Sequence, residues 1–334
     1  MITTISGLKT SIKEKFEQLK NQNLNPDVAK NLGDWLRMEL TYTSNAIEGN
    51  TLTRQETMLV LDEGISIGGK SVTEILEVKN HKRALELVIE LAKSKKIQDL
   101  NQRDLLEIHQ IILEGIDYNN SGKYRSVPVR IAGSMTILPN YLKVPDLMAL
   151  LFKKVNCFEK TSSIIDLIDL AISVHYDLVT IHPFVDGNGR TARLMFNLIL
   201  LQGKLPLAFI TKEERRQYLN SLEKVQTGGS SDDYNLLMFK AIDRSLDLYL
   251  AQGDVEVTES SMNKLYKIGQ IAKLSNEQIP TIRHWMSINL LKPFNTTPAG
   301  YALFNSSTLD IIKQIRHLQT DKRLSLEEIR SLIK

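Results

Sequence analysis

His182-Pro183-Phe184-Val185-Asp186-Gly187-Asn188-Gly189-Arg190-Thr191-Ala192-Arg193 is the stretch on which the reading of this 334-residue chain turns. The apolar run Leu178 to Ile181 ends here, and Pro183 stops a helix at or before His182. His182 therefore sits on a helix end or loop, where an imidazole is accessible. Gly187 and Gly189 permit close backbone approach to a ligand. From Arg190 onward Leu194, Leu198 and Leu201 recur at helical spacing, with no Gly or Pro before Gly203. A glycine-rich loop that opens a helix points several backbone N–H groups at one spot, which suits an anion. Arg190 and Arg193 lie about one turn apart, and their planar forks match phosphate oxygens. Asp186 would repel bare phosphate, so its presence there implies a divalent cation between them.

Two further segments bear on the same chemistry. Thr43-Ser44-Asn45-Ala46-Ile47-Glu48-Gly49-Asn50 continues a helical pattern through Leu32, Leu36 and Leu40. Ser44 and Glu48 fall one turn apart, and Gly49 is a stop signal; alone, this is an ordinary helix end. Gly122-Lys123-Tyr124-Arg125 precedes Val127-Pro128-Val129-Arg130-Ile131-Ala132-Gly133-Ser134, whose alternation and glycine predict a short hairpin.

The loop resembles the signature of the Fic family, HPFx[D/E]GNGRxxR, at every signature position. Members of that family mostly transfer AMP from ATP to a hydroxyl of a target protein. The resemblance implies that His182 is the general base and Asp186 the Mg²⁺ ligand. It makes Gly187, Asn188 and Gly189 the phosphate cradle, and Arg190 and Arg193 the triphosphate clamps, with Arg193 on the γ-phosphate. Phe184 is then structural. The segment around Ser44 and Glu48 resembles the family's inhibitory helix, [S/T]xxxE[G/N], which implies that Glu48 pairs with Arg193 and withholds it from ATP. Val129, Arg130 and Ile131 fall where the family has a flap that aligns the target backbone as an added strand. Tyr218 resembles a position near the adenine in some relatives, although a helical tyrosine is more often packing. Some Fic proteins with this glutamate also remove AMP, and others transfer different phosphate-containing groups.

A competing motif is discounted. Gly64-Ile65-Ser66-Ile67-Gly68-Gly69-Lys70-Ser71 matches G-x-x-x-x-G-K-[ST], but a P-loop follows a β-strand. Here the preceding Arg54 to Glu63 reads as helix, so the glycines mark a turn and Lys70 is expected to be solvated.

The tail carries a second resemblance. Ile268–Leu274 and Pro280–Met286 read as two short helices, Leu290–Phe304 as a hairpin wing, and Ser307–Thr320 and Ser325–Ile333 as further helices. Ser325 and Glu328 form an S-x-x-E capping box. IGQIAK, TIRHW, LLKPF, GYALF and SLEEIRSLI resemble the MerR-type winged helix-turn-helix, a family that reads DNA with its second helix and wing. Trp285 stands where a tyrosine is common. From Val255 to Lys334 there are eleven Lys or Arg against seven Asp or Glu, a modest basic bias. Arg283 and His284 are placed for the major groove and Lys292 for phosphate. DNA binding and protein docking both remain open for this module.

The expected fold is mainly α: a Fic helical core with a small β-hairpin flap, then a C-terminal winged helix-turn-helix. Residues 1–95 are expected to form an N-terminal helical region carrying the inhibitory helix (about 41–50). Residues 96–252 would be the core, 253–261 a polar linker and 262–334 the winged helix. Apolar residues make up 42% and charged residues 24%, which suits a globular chain, and a net charge of +3 does not by itself imply nucleic acid. Cys157 is the single cysteine, so no internal disulfide and no cysteine metal cluster forms. No apolar run approaches a membrane span, and the N-terminal residues lack a signal-peptide core, so the expected setting is the cytoplasm. The leading expectation is an AMP transferase using ATP and Mg²⁺ on a protein hydroxyl, the chain itself included, with a homodimer left open. AMP removal is the first alternative, and a DNA-binding regulator with a nucleotide-sensing site the second.

Overall fold

Apolar periodicity and local capping together account for the order of helices in the computed structural model. The structure describes residues 4–251 except 23, 63, 65, 160 and 161, and residues 266–332 except 297–301, 305, 306, 321 and 323. The chain divides into two units, Met1–Val255 and Glu256–Lys334. The expected linker at 253–261 lies outside the described residues.

In the first unit α1 (Ile5–Asn21) starts at Thr4, whose side chain accepts from the Gly7 amide. Helix α2 (Pro26–Glu48) starts at Asn25 with Pro26 in its first turn, and ends at Gly49 in the left-handed conformation, φ 104°. Then follow α3 (Arg54–Asp62), α4 (Val72–Ser94), α5 (Gln102–Ile112), α6 (Val144–Asn156), α7 (Ile164–Ile181), α8 (Asn188–Gln202), α9 (Arg215–Gln226) and α10 (Asp232–Leu250). Reciprocal capping boxes pair Ser71 with Glu74 at α4, Asn101 with Asp104 at α5 and Ser163 with Asp166 at α7.

Helix α8 is the centre of this unit. It packs against α7, α4, α5 and α2, and every residue from Arg190 to Leu200 is buried. A helix buried on all sides is normally apolar throughout. This one carries Arg190 and Arg193, so its surroundings must supply carboxylates. One apolar cluster runs from Leu8 on α1 to Leu246 on α10. Helices α1, α2 and α4 therefore share this core with the later helices, while Leu52, Val60, Ile75 and Val78 form a small cluster of their own. Helix α3 occupies the place where a P-loop needs a strand. Lys70 is not simply solvated: its Nζ donates to the Thr51 carbonyl at 2.7 Å and the Thr51 hydroxyl at 3.0 Å.

The second unit begins with strand β1 (Tyr266–Lys267), then α11 (Ile268–Ser275) and α12 (Ile279–Ser287). Strands β2 (Asn295–Thr296) and β3 (Ala302–Phe304) precede α13 (Ser307–Thr320) and α14 (Leu326–Leu332). The sheet has the order β1-β3-β2 and is antiparallel throughout, with Tyr266 opposite Phe304 and Asn295 opposite Leu303. Ile271, Ile282, Trp285, Phe304 and Ile315 form its separate core. Part of the expected wing, 297–301, lies outside the described residues. Among the described residues no helix is long and apolar enough to cross a membrane.

Candidate active site

The turn between α7 and α8 starts with a backbone conformation unusual for a residue with a side chain. His182 ends α7 at φ 51° and ψ 60°, with its amide donating to the Leu178 carbonyl at 2.9 Å. Such left-handed residues persist only where neighbours hold them. Buried Arg125 does so: its Nε donates to the His182 carbonyl at 2.8 Å, its amide to the Pro183 carbonyl at 2.8 Å, and its Nη2 to the Pro139 carbonyl at 2.6 Å. His182 Nδ1 lies 3.3 Å from the Val179 carbonyl. A carbonyl only accepts, so this nitrogen carries the proton and Nε2 keeps a lone pair. Burial pushes the imidazole pKa down and the Arg125 charge adds to this, over the opposing pull of the Val179 carbonyl, Glu48 and Asp186. The ring is therefore neutral at pH 7.

The loop is braced from below by His109. Its ring stacks on Phe184 with centroids 3.6 Å apart and planes 4° from parallel. His109 Nδ1 accepts from the Gly122 amide at 3.0 Å, so Nε2 carries the proton and donates to the Asp186 carbonyl at 2.9 Å. Burial keeps this ring uncharged, with its pKa pushed down to about 4. The Asn188 side chain closes the turn on itself: Oδ1 accepts from the Phe184 amide at 2.9 Å and Nδ2 donates to the Phe184 carbonyl at 3.0 Å. Of the expected cradle, Asn188 thus offers its backbone rather than its side chain. Replacing His109 with Ala removes a stacked ring and orphans the Gly122 amide. Denaturant unfolding should show a loss of about 3 kcal/mol. A loss within about 0.5 kcal/mol, the range of a neutral surface change, would contradict the bracing role.

Gly187, at φ 76°, opens α8, where the first-turn amides have no partners within the helix. A Cβ at Gly189 would collide with Glu48 Oε1, so the glycine admits this carboxylate. Arg193 is held by α2. Its Nε donates to Ser44 Oγ at 2.9 Å, and its Nη2 to the Ser44 carbonyl at 2.9 Å and to Glu48 Oε1 at 2.6 Å. Burial pushes the Glu48 pKa up, but Arg193, with Arg190 and Arg215 behind it, holds it below the ordinary glutamate value. Arg215 Nε also donates to the Ile47 carbonyl at 2.6 Å and so secures the last turn of α2. Arg190 bridges Glu77 at 2.9 Å and Asp186 at 3.2 Å. Asp186 itself is 63% exposed.

Two expectations need correction. Tyr218 has no face for an adenine, because it is 1% exposed. Its hydroxyl meets His175 Nε2 at 2.9 Å, His175 Nδ1 meets the Tyr234 hydroxyl at 2.8 Å, and Tyr234 donates to the Ile172 carbonyl at 3.1 Å. That direction leaves the Tyr218 oxygen to accept from Arg193, with which it hydrogen-bonds. Tyr218 therefore supports the arginine from beneath. The flap forms no β-hairpin: no strand is present in it among the described residues. Val129 and Ile131 are half-buried and Arg130 is exposed on an extended loop, turned by Gly133 and closed by the Ser134 amide on the Ile131 carbonyl. Its backbone finds partners outside a ladder: Glu223 on α9 accepts from the Ser134 hydroxyl at 3.0 Å and the Met135 amide at 2.6 Å. Pro128 also removes one donor from any ladder.

Against known proteins, residues 99–200 match the Fic/DOC family and residues 266–334 match the MerR HTH family regulatory proteins. The crystal structure of a Fic domain containing signaling protein from Bacteroides thetaiotaomicron is 30% identical, with TM-score 0.64 over 75% of this chain and 99% of that one. Fic-1 from C. elegans is 29% identical, with TM-score 0.66 over 74% of this chain and 72% of that one. Protein adenylyltransferase Fic from Nematostella vectensis is 33% identical over 215 residues, 63% of this chain and 48% of that protein. A helical core that holds this loop defines the class, and the chain belongs to the Fic family. It spans less than half the length of curated relatives such as that of Nematostella vectensis, of which it covers 48%.

Proposed function

We propose that the chain is a protein adenylyltransferase that moves AMP from ATP to a Ser, Thr or Tyr hydroxyl of a target protein, and that Glu48 restrains it. The observation that carries this reading is one juxtaposition. A neutral His182 with a free Nε2 lies beside a helix N-terminus whose clamping Arg193 is tied to Ser44 and Glu48. The target hydroxyl attacks the α-phosphorus of ATP while His182 Nε2 takes its proton. A new O–P bond forms, the bond to the bridging oxygen breaks, and pyrophosphate leaves. Arg190, Arg193 and the first-turn amides of α8 offset the charge on the leaving group. Asp186 fits a Mg²⁺ ligand, since it is exposed and the ion takes one or two carboxylates plus substrate phosphates. The ion would supply charge neutralisation on those phosphates. A cytoplasmic setting would supply the ATP.

The pH dependence follows from His182. Its pKa lies below the ordinary value of 6.5, so the base stays competent through that pH and transfer falls only on further acidification. Initial rates of the Glu48→Gly variant between pH 5 and 8 on the scale of histidine titration should show that acid limb. An acid limb centred above 6.5 would contradict a desolvated neutral base.

The Glu48 carboxylate, partly open to solvent beside Gly189, also favours a second activity, removal of AMP, with Glu48 orienting the attacking water. Glu48→Gly would then abolish release of AMP from a modified protein while raising its addition. Release that persists in the variant would dismiss this role.

For the C-terminal unit we propose docking onto duplex DNA. Buried Trp285 anchors α12 in the core while Arg283, His284 and, just beyond, Lys292 are exposed. Filter binding should weaken about tenfold or more between 50 and 200 mM salt. Retention without salt dependence would favour a protein partner instead.

A further inference from the structure

Arg190 is nearly sealed from solvent, 2% exposed, and meets two carboxylates of different character. Glu77 on α4 is 17% exposed and lies 2.9 Å from Nη1. Asp186 is 63% exposed and lies 3.2 Å from Nη2. Among the described residues Arg190 Nε has no hydrogen-bond partner, so the two Nη contacts carry its pairing. A buried guanidinium cannot shed its proton, and leaving one unpaired is strongly unfavourable. If Asp186 were its sole counterion, that carboxylate could not turn to a metal ion without stranding the arginine.

We infer that Glu77 is the permanent counterion of Arg190, a positioning residue that leaves Asp186 free to exchange from the arginine to a divalent cation. Two carboxylates on one guanidinium leave a net negative charge, which favours adding a cation. Glu77 is itself held in place. Asn50 Nδ2 donates to Glu77 Oε2 at 2.9 Å and to the Glu74 carbonyl at 2.9 Å. The Asn50 amide in turn closes the end of α2 on the Asn45 carbonyl at 3.1 Å. The segment that ends the inhibitory helix thus reaches both motif arginines: Arg193 directly through Glu48, and Arg190 through Asn50 and Glu77. Asn50→Ala loosens Glu77 but keeps its charge, so its effect should be the weaker one.

This inference rests on the reading of Asp186 as the metal ligand, and the test separates the two. Mn²⁺ is titrated into the full chain with ATP present, and free Mn²⁺ is followed by electron paramagnetic resonance. All proteins carry His182→Asn, which suits the left-handed backbone, so that no turnover occurs. Asp186→Ala should weaken Mn²⁺ binding most. Glu77→Gln should raise the apparent Kd about tenfold, the lower end of what a lost supporting contact to a metal ligand does. Asn50→Ala should move it in the same direction by less. Far-ultraviolet circular dichroism confirms folding; if Glu77→Gln fails to fold, Asn50→Ala decides. If Asp186→Ala loses binding while the folded Glu77 or Asn50 variant stays within twofold of the parent, the role of Glu77 is overturned. Full binding by Asp186→Ala would overturn the metal assignment and this inference with it.

Discussion

Glu48→Gly is expected to raise AMP transfer by about 10–10²-fold, the worth of one shielded charge-assisted hydrogen bond. The pair it breaks is short, 2.6 Å, and its arginine is buried. Arg193 then keeps only neutral partners, Ser44 Oγ, the Ser44 carbonyl and the Tyr218 hydroxyl, and turns to the negative γ-phosphate. The fold tolerates the change because Glu48 is the last residue of α2, followed by a left-handed Gly49, and because Arg215 holds the Ile47 carbonyl. Removing the carboxylate also clears the space beside Gly189. Wild type and variant, incubated with labelled ATP and Mg²⁺ in cell lysate, provide the comparison. Labelling no higher than wild type would mean that Glu48 is not inhibitory. The restraint should also persist through neutral pH: the Glu48 pKa lies below its ordinary 4.5, so the carboxylate stays ionised above that value and is lost only on stronger acidification.

His182→Ala, placed in the Glu48→Gly background, is expected to lower transfer by about 10²–10⁴-fold. The imidazole is the basic group of the turn with an unprotonated nitrogen, since Nδ1 faces the Val179 carbonyl and Arg125 is a cation. Alanine at φ 51° is strained, so a fall in rate could reflect a displaced loop. His182→Asn removes the base while suiting the left-handed backbone, and it should be equally slow. A fast His182→Asn variant with an intact fold would exclude His182 as the base. Together the two substitutions separate the restraint from the chemistry, because one acts on Arg193 and the other on the attacking hydroxyl.

The loop was legible because its parts are contiguous. Pro183, Gly187 and the apolar spacing from Leu194 announce where one helix ends and the next begins, and α7 and α8 do so there. Ser44 and Glu48 were legible as a pair one turn apart, and the structure brings both to Arg193. The helix ahead of Gly64 also distinguished a turn from a P-loop. What escaped acts at long range. His109 lies on the apolar face of α5, four residues after Leu105 and three before Ile112, where a histidine reads as part of the core. Only the fold shows it stacked on Phe184, 75 residues away in the chain. Arg125 adjoins the flap in sequence, yet its Nε holds the His182 carbonyl. Glu77 looked like one more charge on an amphipathic helix until Arg190 met it. Tyr218 misled because burial is a tertiary property: the same helical position can face a ligand or the core. The flap misled because alternation shows only an extended chain, whereas Glu223 and Arg125 decide where its hydrogen bonds go.

Intact-mass spectrometry after incubation with Mg²⁺ and ATP tests the central claim most directly, using wild type, Glu48→Gly and Glu48→Gly/His182→Asn. The account predicts one added AMP unit on the Glu48→Gly chain or on a lysate protein, little on wild type, and none with the double variant. An added phosphoryl group in place of AMP, or equal adenylylation by the double variant, would contradict it.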